Sequence, residues 1–144
     1  PVALALSREA SGMRDGLAGM TASDYEQVAA LWQEVGMWPH VGEDRAWFEG
    51  ALARNPGCAF VWREGGRVIG TVVGAWDGLR GWIYHLAVSE PHRRRGLASA
   101  LLAAAEARLR ELGVQQISRS TSWCSKRTAR WRASTSGAAM GRRL

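Results

Sequence analysis

The sequence predicts a single α/β domain, with a mixed but mostly antiparallel sheet and helices on both faces. The first observation is a series of three apolar segments that follow one another through short, glycine-containing turns, as in an antiparallel meander. The second is a long amphipathic helix that separates this meander from one more apolar segment. Because such crossovers are right-handed and join parallel strands, we expect the last strand beside the end of the meander.

The first part of the chain is predicted to hold a weak strand and two helices. Glycines interrupt residues 1–19, so we expect a frayed arm that contributes at most a short edge strand at residues 17–20. The sequence Thr-Ala-Ser-Asp at residues 21–24 resembles a capping box, and apolar residues at helical spacing continue to Val35. A second helix is predicted for residues 43–54, because Asn-Pro-Gly follows and would end it.

Turn residues and apolar periodicity predict the remaining elements. Strands at residues 58–63 and 67–76 are joined by Glu-Gly-Gly, and Asp-Gly makes the next turn, before a strand at residues 82–88. The long helix follows this strand and ends at Gly113, which stands where a C′ glycine belongs. The last strand is predicted at residues 114–118, after the helix.

The most informative stretch combines the third strand of the meander, a basic loop and the beginning of the long helix. Residues 82–88 are apolar on both faces, which is typical of a central strand. Arginines occupy positions 93–95, and small residues at 96, 98 and 99 would let a bulky anion approach the free N–H groups of the first helical turn. This arrangement predicts a phosphate site; the alternative is a merely solvated basic turn.

At these residues the chain resembles the GNAT superfamily of acetyl-CoA-dependent N-acetyltransferases, in its small stand-alone bacterial form. The family signature is Arg or Gln, two residues, Gly, one residue, and Gly or Ala; residues 93–98 read Arg-Arg-Arg-Gly-Leu-Ala. The family also places an apolar triplet before the signature, here Leu86-Ala87-Val88. The resemblance covers roughly residues 21–117. It implies the GNAT acyl-CoA N-acyltransferase fold, in which two central strands splay apart and acetyl-CoA lies in the gap.

The resemblance also implies how the co-substrate acetyl-CoA would be held. The pyrophosphate would bind the backbone N–H groups of residues 94–99, with Arg93 as a charged clamp. The pantetheine arm would pair with the backbone of the central strand, where an N–H would polarise the acetyl carbonyl. The cofactor-binding residues expected on this basis are Leu86, Ala87, Val88, Arg93, Arg94, Arg95, Gly96, Leu97, Ala98 and Ser99.

Acetyl transfer needs a proton acceptor for the attacking amine, which the family often places on the central strand. Here that strand offers Tyr84 and His85 as catalytic candidates, and no acid. Strict alternation puts His85 on the face opposite Tyr84, unless a bulge turns it. The alternative for both is a core side chain, hydrogen-bonded in the case of His85. Trp38 and His40 are the candidates for the wall of the substrate pocket, with core packing as the alternative for Trp38.

The composition excludes several other classes of protein. No apolar run is long enough to cross a membrane and no charged-then-apolar leader begins the chain, so we expect a cytoplasmic protein. Cys58, Cys124 and the three histidines lack metal-ligand spacing, so no metal is expected. Residues 1–118 carry 12 of the 19 basic groups and all 13 acidic ones, a net charge of −1, whereas residues 119–144 carry a net +7. The domain itself is therefore not basic.

Residues 119–144 depart from the family, which ends in a helix and a strand with an Asn shortly before a Tyr. That Tyr commonly protonates the departing thiolate, but the segment here has no Tyr and no regular apolar period. Read one base out of frame, ordinary codon choices permit a segment with Asn and Tyr at the family spacing. We therefore divide the chain into an acetyltransferase domain at residues 1–118 and an aberrant basic tail, and predict a frameshift, either genuine or a sequencing error, behind that tail.

Three functions agree with these observations. The leading one is an N-acetyltransferase that moves the acetyl group of acetyl-CoA to a primary amine of a small molecule or protein, by direct attack in a ternary complex. The second is a catalytically impaired acyl-CoA-binding module, which the missing Tyr favours. The third, ranked last, is a nucleic-acid-binding protein acting through the basic tail, with Trp123 and Trp131 as stacking groups. The expected partners are acetyl-CoA and an amine, no membrane partner is expected, and a homodimer is left open.

Overall fold

The computed structural model describes residues 15–37 and 44–119, which form one open mixed sheet with helices on both faces. The predicted fold class is confirmed. The strands are β1 (Gly16–Gly19), β2 (Ala59–Glu64), β3 (Arg67–Trp76), β4 (Gly81–Val88) and β5 (Ile117–Arg119). The helices are α1 (Tyr25–Glu34), α2 (Arg45–Arg54) and α3 (Leu97–Glu111), with short 3-10 turns at Ala22–Asp24 and Glu90–His92. None of these helices has the length and apolar character needed to cross a bilayer.

The order of the strands across the sheet is the same as their order along the chain. β1 to β4 pair with their neighbours in antiparallel fashion, and β5 pairs in parallel with β4, so the predicted meander and crossover are both confirmed. The parallel pairing joins Gly81 to Ile117 and continues to Ile83 and Arg119. The predicted splay concerns the later part of β4. The segment that would lie beside it follows Arg119 and is outside the described residues, as is the rest of the predicted tail.

Each face of the sheet is covered by its own helical layer. α3 covers one face with side chains at helical spacing, namely Leu97, Leu101, Ala105 and Leu109, which pack with Val72, Ile83, Leu86 and Val88. α1 and α2 cover the other face with Val28, Leu31, Trp32 and Phe48, which pack with Val61, Val73 and Ala87. Because burying a large apolar side chain contributes about 1.5–3 kcal/mol, these two layers supply most of the favourable free energy of folding.

A buried ion pair joins the beginning of α1 to β2. The Asp24 carboxylate accepts hydrogen bonds from the Thr21 backbone N–H at 2.9 Å and from Arg63 Nη2 at 2.7 Å. Asp24 and Arg63 are both buried, so removing either partner would leave the other charge without compensation. The capping box predicted at residues 21–24 is present, with Thr21 as the N-cap. It caps a 3-10 turn that includes Asp24, so α1 itself begins at Tyr25.

The end of α3 and the beginning of α2 explain the other differences in element boundaries. Gly113 has the left-handed backbone predicted for it, with φ +90°, and the N–H of Val114 donates to the carbonyl of Leu109 at 3.1 Å. Val114 is thus part of the helix end, so β5 begins later than predicted. α2 begins at Arg45 because Asp44 is the N-cap, its carboxylate accepting the backbone N–H of Trp47 at 3.0 Å.

Gly74→Ala is expected to destabilise the fold because β2 and β3 approach closely at this position. A Cβ added to Gly74 would lie 2.8 Å from the backbone oxygen of Cys58, which cannot move away as a flexible side chain can. We expect a loss of about 1–3 kcal/mol in the free energy of unfolding, measured by urea denaturation.

Two other glycines are matched controls for this substitution. Gly19→Ala, on the exposed edge strand, meets nothing within 4 Å and should change stability by less than about 0.5 kcal/mol. Gly50→Ala, inside α2 and also in open space, should stabilise by about 0.5–1 kcal/mol, because glycine is a poor helix former. Equal effects at positions 19 and 74 would contradict the close-approach argument.

Candidate active site

A β-bulge interrupts β4 at the residues that the sequence singled out for catalysis. Thr71 pairs with Ala87 and Val73 pairs with Tyr84, so two residues of β4 stand opposite one residue of β3. His85, inside the bulge, has a positive φ of 50°. Strict alternation would have put His85 on the face opposite Tyr84, but the exception stated for a bulge applies here. The bulge turns His85 to the Tyr84 side, where its ring lies 4.2 Å from that of Trp32.

A short chain of hydrogen bonds holds the bulge against β3 and α1. The Thr71 hydroxyl donates to the backbone carbonyl of His85 at 2.9 Å and accepts the indole N–H of Trp32 at 3.0 Å. Thr71 is completely buried, and Trp32 and His85 are nearly so. The ring of Trp47, on α2, lies 5.7 Å from that of His85. The imidazole therefore has aromatic neighbours on two helices, while its backbone is fixed from the neighbouring strand.

The basic loop that follows β4 has the backbone geometry of an anion site. Arg94 and Gly96 both have left-handed backbones, with φ of 64° and 78°. A left-handed residue beside ordinary ones turns successive N–H groups towards one point, forming an anion-binding concavity. No atom lies within 4 Å of a Cβ built on Gly96, so the approach to the first turn of α3 is open there. The loop and the helix N-terminus together present the donors that a phosphate needs.

Arg93 has a structural contact at the end of β4. Its Nε donates to the backbone carbonyl of Val88 at 3.1 Å, which ties the loop to the strand that precedes it. Arg93 is half-buried, whereas Arg94 is exposed. The predicted phosphate ligands are therefore brought together at one end of β4, and their role as ligands stays a prediction.

Arg95 is held by a carboxylate that the sequence analysis did not consider. Both of its Nη atoms donate to Glu64 at the end of β2, at 3.0 and 3.2 Å, and His92 Nδ1 lies 3.0 Å from the same carboxylate. Hydrogen bonding to Arg95 holds the pKa of Glu64 below its usual value, and Glu64 in turn raises the pKa of Arg95. A phosphate would have to share Arg95 with this partner.

Tyr84 and Trp82 form an aromatic surface beside the bulge. Their ring centroids lie 6.5 Å apart, and the indole N–H of Trp82 donates to Asp77 at 3.2 Å. The backbone N–H groups of Arg80 and Leu79 hold the pKa of Asp77 below its usual value. Burial and then the negative charge of Asp77 raise the pKa of Tyr84, so its phenol keeps its proton near neutral pH.

Several contributors to this region were not found by sequence reasoning. Thr71 is the one polar residue between Val68 and Trp76 of β3, which is the signal that could have singled it out. Glu34, at the end of α1, accepts a hydrogen bond from the Ser89 hydroxyl at 2.9 Å, so an acid does reach the end of β4 from another element. Trp38 and His40, the candidates for the substrate wall, lie outside the described residues. Within residues 15–37 and 44–119, no group of His, Cys, Asp or Glu side chains could hold a metal ion.

Solved structures of other proteins share this fold. The protein is similar to Ard1 from Thermoplasma volcanium, with a TM-score of 0.70, 21% identity, and coverage of 84% of this chain and 79% of that one. It is also similar to N-acetylglutamate synthase from Neisseria gonorrhoeae complexed with coenzyme A and N-acetyl-glutamate, with a TM-score of 0.63, 21% identity, and coverage of 82% and 27%. At these identities the likeness shows the fold alone.

The sequence relationship then identifies the family. The model of the acetyltransferase (GNAT) family matches residues 22–125, and the chain belongs to this family. An acetyltransferase of Photorhabdus laumondii is 34% identical over 94 residues, which are 65% of this chain and 66% of the relative. An acetyltransferase of Sodalis glossinidius is 32% identical over 94 residues, with the same coverage of both chains. The chain thus spans about two thirds of the length of these relatives. The resemblance stated from the motif is confirmed.

Glu64→Gln is expected to lower stability at neutral pH and to have no effect in acid. The pKa of Glu64 is depressed from 4.5 in the folded protein, so its ion pair stabilises the fold above that value and is lost as the pH falls through the folded-state pKa. The difference in free energy of unfolding between wild type and variant should therefore be present at pH 7, and should be lost as the pH falls below 4.5 and through the folded-state pKa. Urea denaturation at several pH values measures it.

The control is the same substitution in an Arg95→Gln background. Because Arg95 is the main partner of Glu64, the effect of Glu64→Gln at pH 7 should shrink there. A difference that stays constant as the pH is lowered from 7, or one that does not depend on Arg95, would show that the pair does not stabilise the loop.

Proposed function

We propose that the protein is an acetyl-CoA-dependent N-acetyltransferase that acetylates a primary amine of a small molecule or protein in a ternary complex. The observation that carries this proposal is the course of β4, which runs from a bulge bearing His85 directly into a loop with the donors of a phosphate site. One strand thereby links a candidate proton acceptor to a candidate anchor for a nucleotide. Family membership supports acyl transfer, and the coenzyme A bound by the Neisseria synthase supports the choice of donor.

The residues of the loop fit the pyrophosphate of coenzyme A. The left-handed backbones at positions 94 and 96 and the open space at Gly96 let a bulky anion reach the amides of residues 95–99. Arg93 stays beside the strand and would add positive charge at its edge. Among the described residues, no strand pairs with the outer edge of residues 84–88, so this edge has backbone groups for the pantetheine arm.

The chain's own groups would act on the acetyl group and on the amine separately. Acetyl-CoA supplies a thioester whose carbonyl carbon accepts the amine nitrogen; a C–N bond forms and the C–S bond breaks. A backbone N–H of the bulge would stabilise the negative charge that develops on the acetyl oxygen. His85 would take the proton that the amine loses and later release it to solvent. The thiolate of coenzyme A leaves and takes up a proton from solvent. The products are an N-acetyl amine and free coenzyme A.

Tyr84 has a different part in this proposal. Because its raised pKa keeps the phenol protonated, it is a poor proton acceptor and a good wall for the acceptor site. Its ring and that of Trp82 lie on the same side of β4 as His85. The acceptor would therefore lie along this aromatic surface, with its amine towards the bulge.

The proposal is tested by titrating coenzyme A into the protein and by measuring thiol release from acetyl-CoA over a panel of amines. Binding together with amine-dependent thiol release supports the acetyltransferase. Binding without transfer to any amine would favour the acyl-CoA-binding module, which the tail without a Tyr makes the second candidate. The absence of both would refute the proposal.

Gly96→Asp is expected to abolish binding of coenzyme A while leaving the protein folded. The new carboxylate would stand at the N-terminus of α3, where it would occupy the donors and repel the pyrophosphate. We expect the Kd to rise by more than about tenfold, measured by isothermal titration calorimetry.

Gly113→Asp is the matched control for this variant. Gly113 also has a left-handed backbone and open space, but lies at the far end of α3. Both variants therefore carry similar backbone strain, and Gly113→Asp should bind coenzyme A as the wild type does. An unchanged Kd for Gly96→Asp, or equal losses in both variants, would remove the loop from the site.

His85→Gln is expected to reduce kcat by about 10²–10⁴-fold, because a general base usually contributes that much. The Kd for coenzyme A should not change, since the side chain lies on the acceptor side of β4. Tyr84→Phe is the control: Tyr84 neighbours His85 on the same face, and the variant keeps the aromatic ring and removes only the hydroxyl. It should retain most of the wild-type kcat. A fully active His85→Gln enzyme would show that another group takes the proton.

A further inference from the structure

We propose that Thr71 is a positioning residue, which holds the β4 bulge and the ring of His85 in place for acetyl transfer, together with Trp32. This inference rests on the proposed function, but concerns two residues outside the strand that bears the chemistry. Its basis is the hydrogen-bonded chain from the Trp32 indole through the Thr71 hydroxyl to the His85 carbonyl.

The first argument concerns the hydrogen-bond partner of the His85 backbone carbonyl. A bulge leaves its extra residue out of the regular ladder, so the backbone groups there need other partners. A buried carbonyl without a partner is costly, and the Thr71 hydroxyl supplies one at 2.9 Å. The pairing of Thr71 with Ala87 places this hydroxyl directly beside the bulge. Thr71 therefore satisfies the group that the bulge displaces from the sheet.

The second argument is the direction of the hydroxyl. A hydroxyl can donate one hydrogen and accept others, and the indole N–H of Trp32 can only donate. Trp32 therefore makes the Thr71 oxygen an acceptor on one side and leaves its hydrogen for His85. A chain in which each bond polarises the next is stronger than its members taken singly. The indole, the hydroxyl and the carbonyl thus have one arrangement in which each hydrogen bond of the chain is made.

The third argument is that the same indole also contacts the imidazole. The rings of Trp32 and His85 lie 4.2 Å apart, with an interplanar angle of 34°. The polar end of the indole thus fixes the backbone of His85 through Thr71, while its face fixes the side chain. Without the bulge, alternation would return His85 to the α3 face, away from the aromatic surface. Position 71 consequently determines on which face the imidazole stands.

The test compares Thr71→Val with Thr71→Ser. Valine keeps the shape but removes both hydrogen bonds, whereas serine keeps the hydroxyl and loses a methyl group. We expect Thr71→Val to lower kcat by about 10- to 100-fold with little change in the KM for acetyl-CoA, because misplacement of a reacting group costs rate more than binding. Thr71→Ser should restore most of kcat. Failure of serine to rescue would show that shape, and not the hydroxyl, is what matters.

A spectroscopic measurement decides the proposal independently of activity. The Trp32 indole N–H should exchange slowly with solvent in the wild type and in Thr71→Ser, and faster in Thr71→Val. The ring signals of His85 should shift in Thr71→Val. Trp32→Phe and His85→Gln assign these signals among the eight tryptophans and three histidines of the chain. Wild-type exchange and His85 signals in Thr71→Val would overturn the proposal.

Two further variants separate the role of Thr71 from a general loss of stability and from a failure to fold. Leu109→Ala truncates a buried side chain of α3, which packs on the other face of the sheet, so it should lower stability without changing kcat or the His85 signals. If Thr71→Val does not fold, Thr71→Ala removes the same hydroxyl, and it should speed the exchange of the Trp32 indole N–H; slow, wild-type exchange in Thr71→Ala would refute the proposal. A wild-type protein without transfer activity would refute the proposed function, while the spectra still decide the role of Thr71.

Discussion

The arrangement of the candidate site depends on the mismatch between β3 and β4, where two residues of one strand stand opposite one residue of the other. A single extra residue reverses the faces of every side chain after it. In this chain it directs Leu86 and Val88 into the α3 layer, and Ala87 into the layer of α1 and α2. The same offset puts His85 beside Tyr84, so that the packing of two core layers and the composition of the site have one common cause.

The basic loop is held in place by two of its own arginine side chains. Arg93 is tied to the Val88 carbonyl and Arg95 to Glu64, so two of the arginines hold the loop to β4 and to β2. The backbone amides are then presented by a loop whose ends are anchored. Pre-organisation of this kind reduces the entropy lost when a ligand binds. Here the positive charges contribute to shape as well as to attraction.

The sequence predicted those features that depend on neighbouring residues, and it missed those that depend on distant ones. The strand, loop and helix at residues 81–113 are contiguous, so turn residues, periodicity and Gly113 were sufficient to place them. The bulge depends on pairing with another strand, and no residue of β4 signals it by type. Thr71 lies 14 residues from His85 and 39 from Trp32, and Arg95 lies 31 from Glu64. Such partners become visible only when the sheet brings them together.

The agreement between the order of the strands in the sheet and their order in the chain has a consequence for synthesis. Each strand after β1 leaves the ribosome after the neighbour with which it pairs. The strands β1 to β4 can therefore pair before any later segment has been made. The basic loop and α3 emerge after the meander and can fold onto a surface that is already formed. The buried pair of Asp24 and Arg63 can form before β4 leaves the ribosome. The layer of α1 and α2 can thus begin to pack on the sheet before the layer of α3 exists.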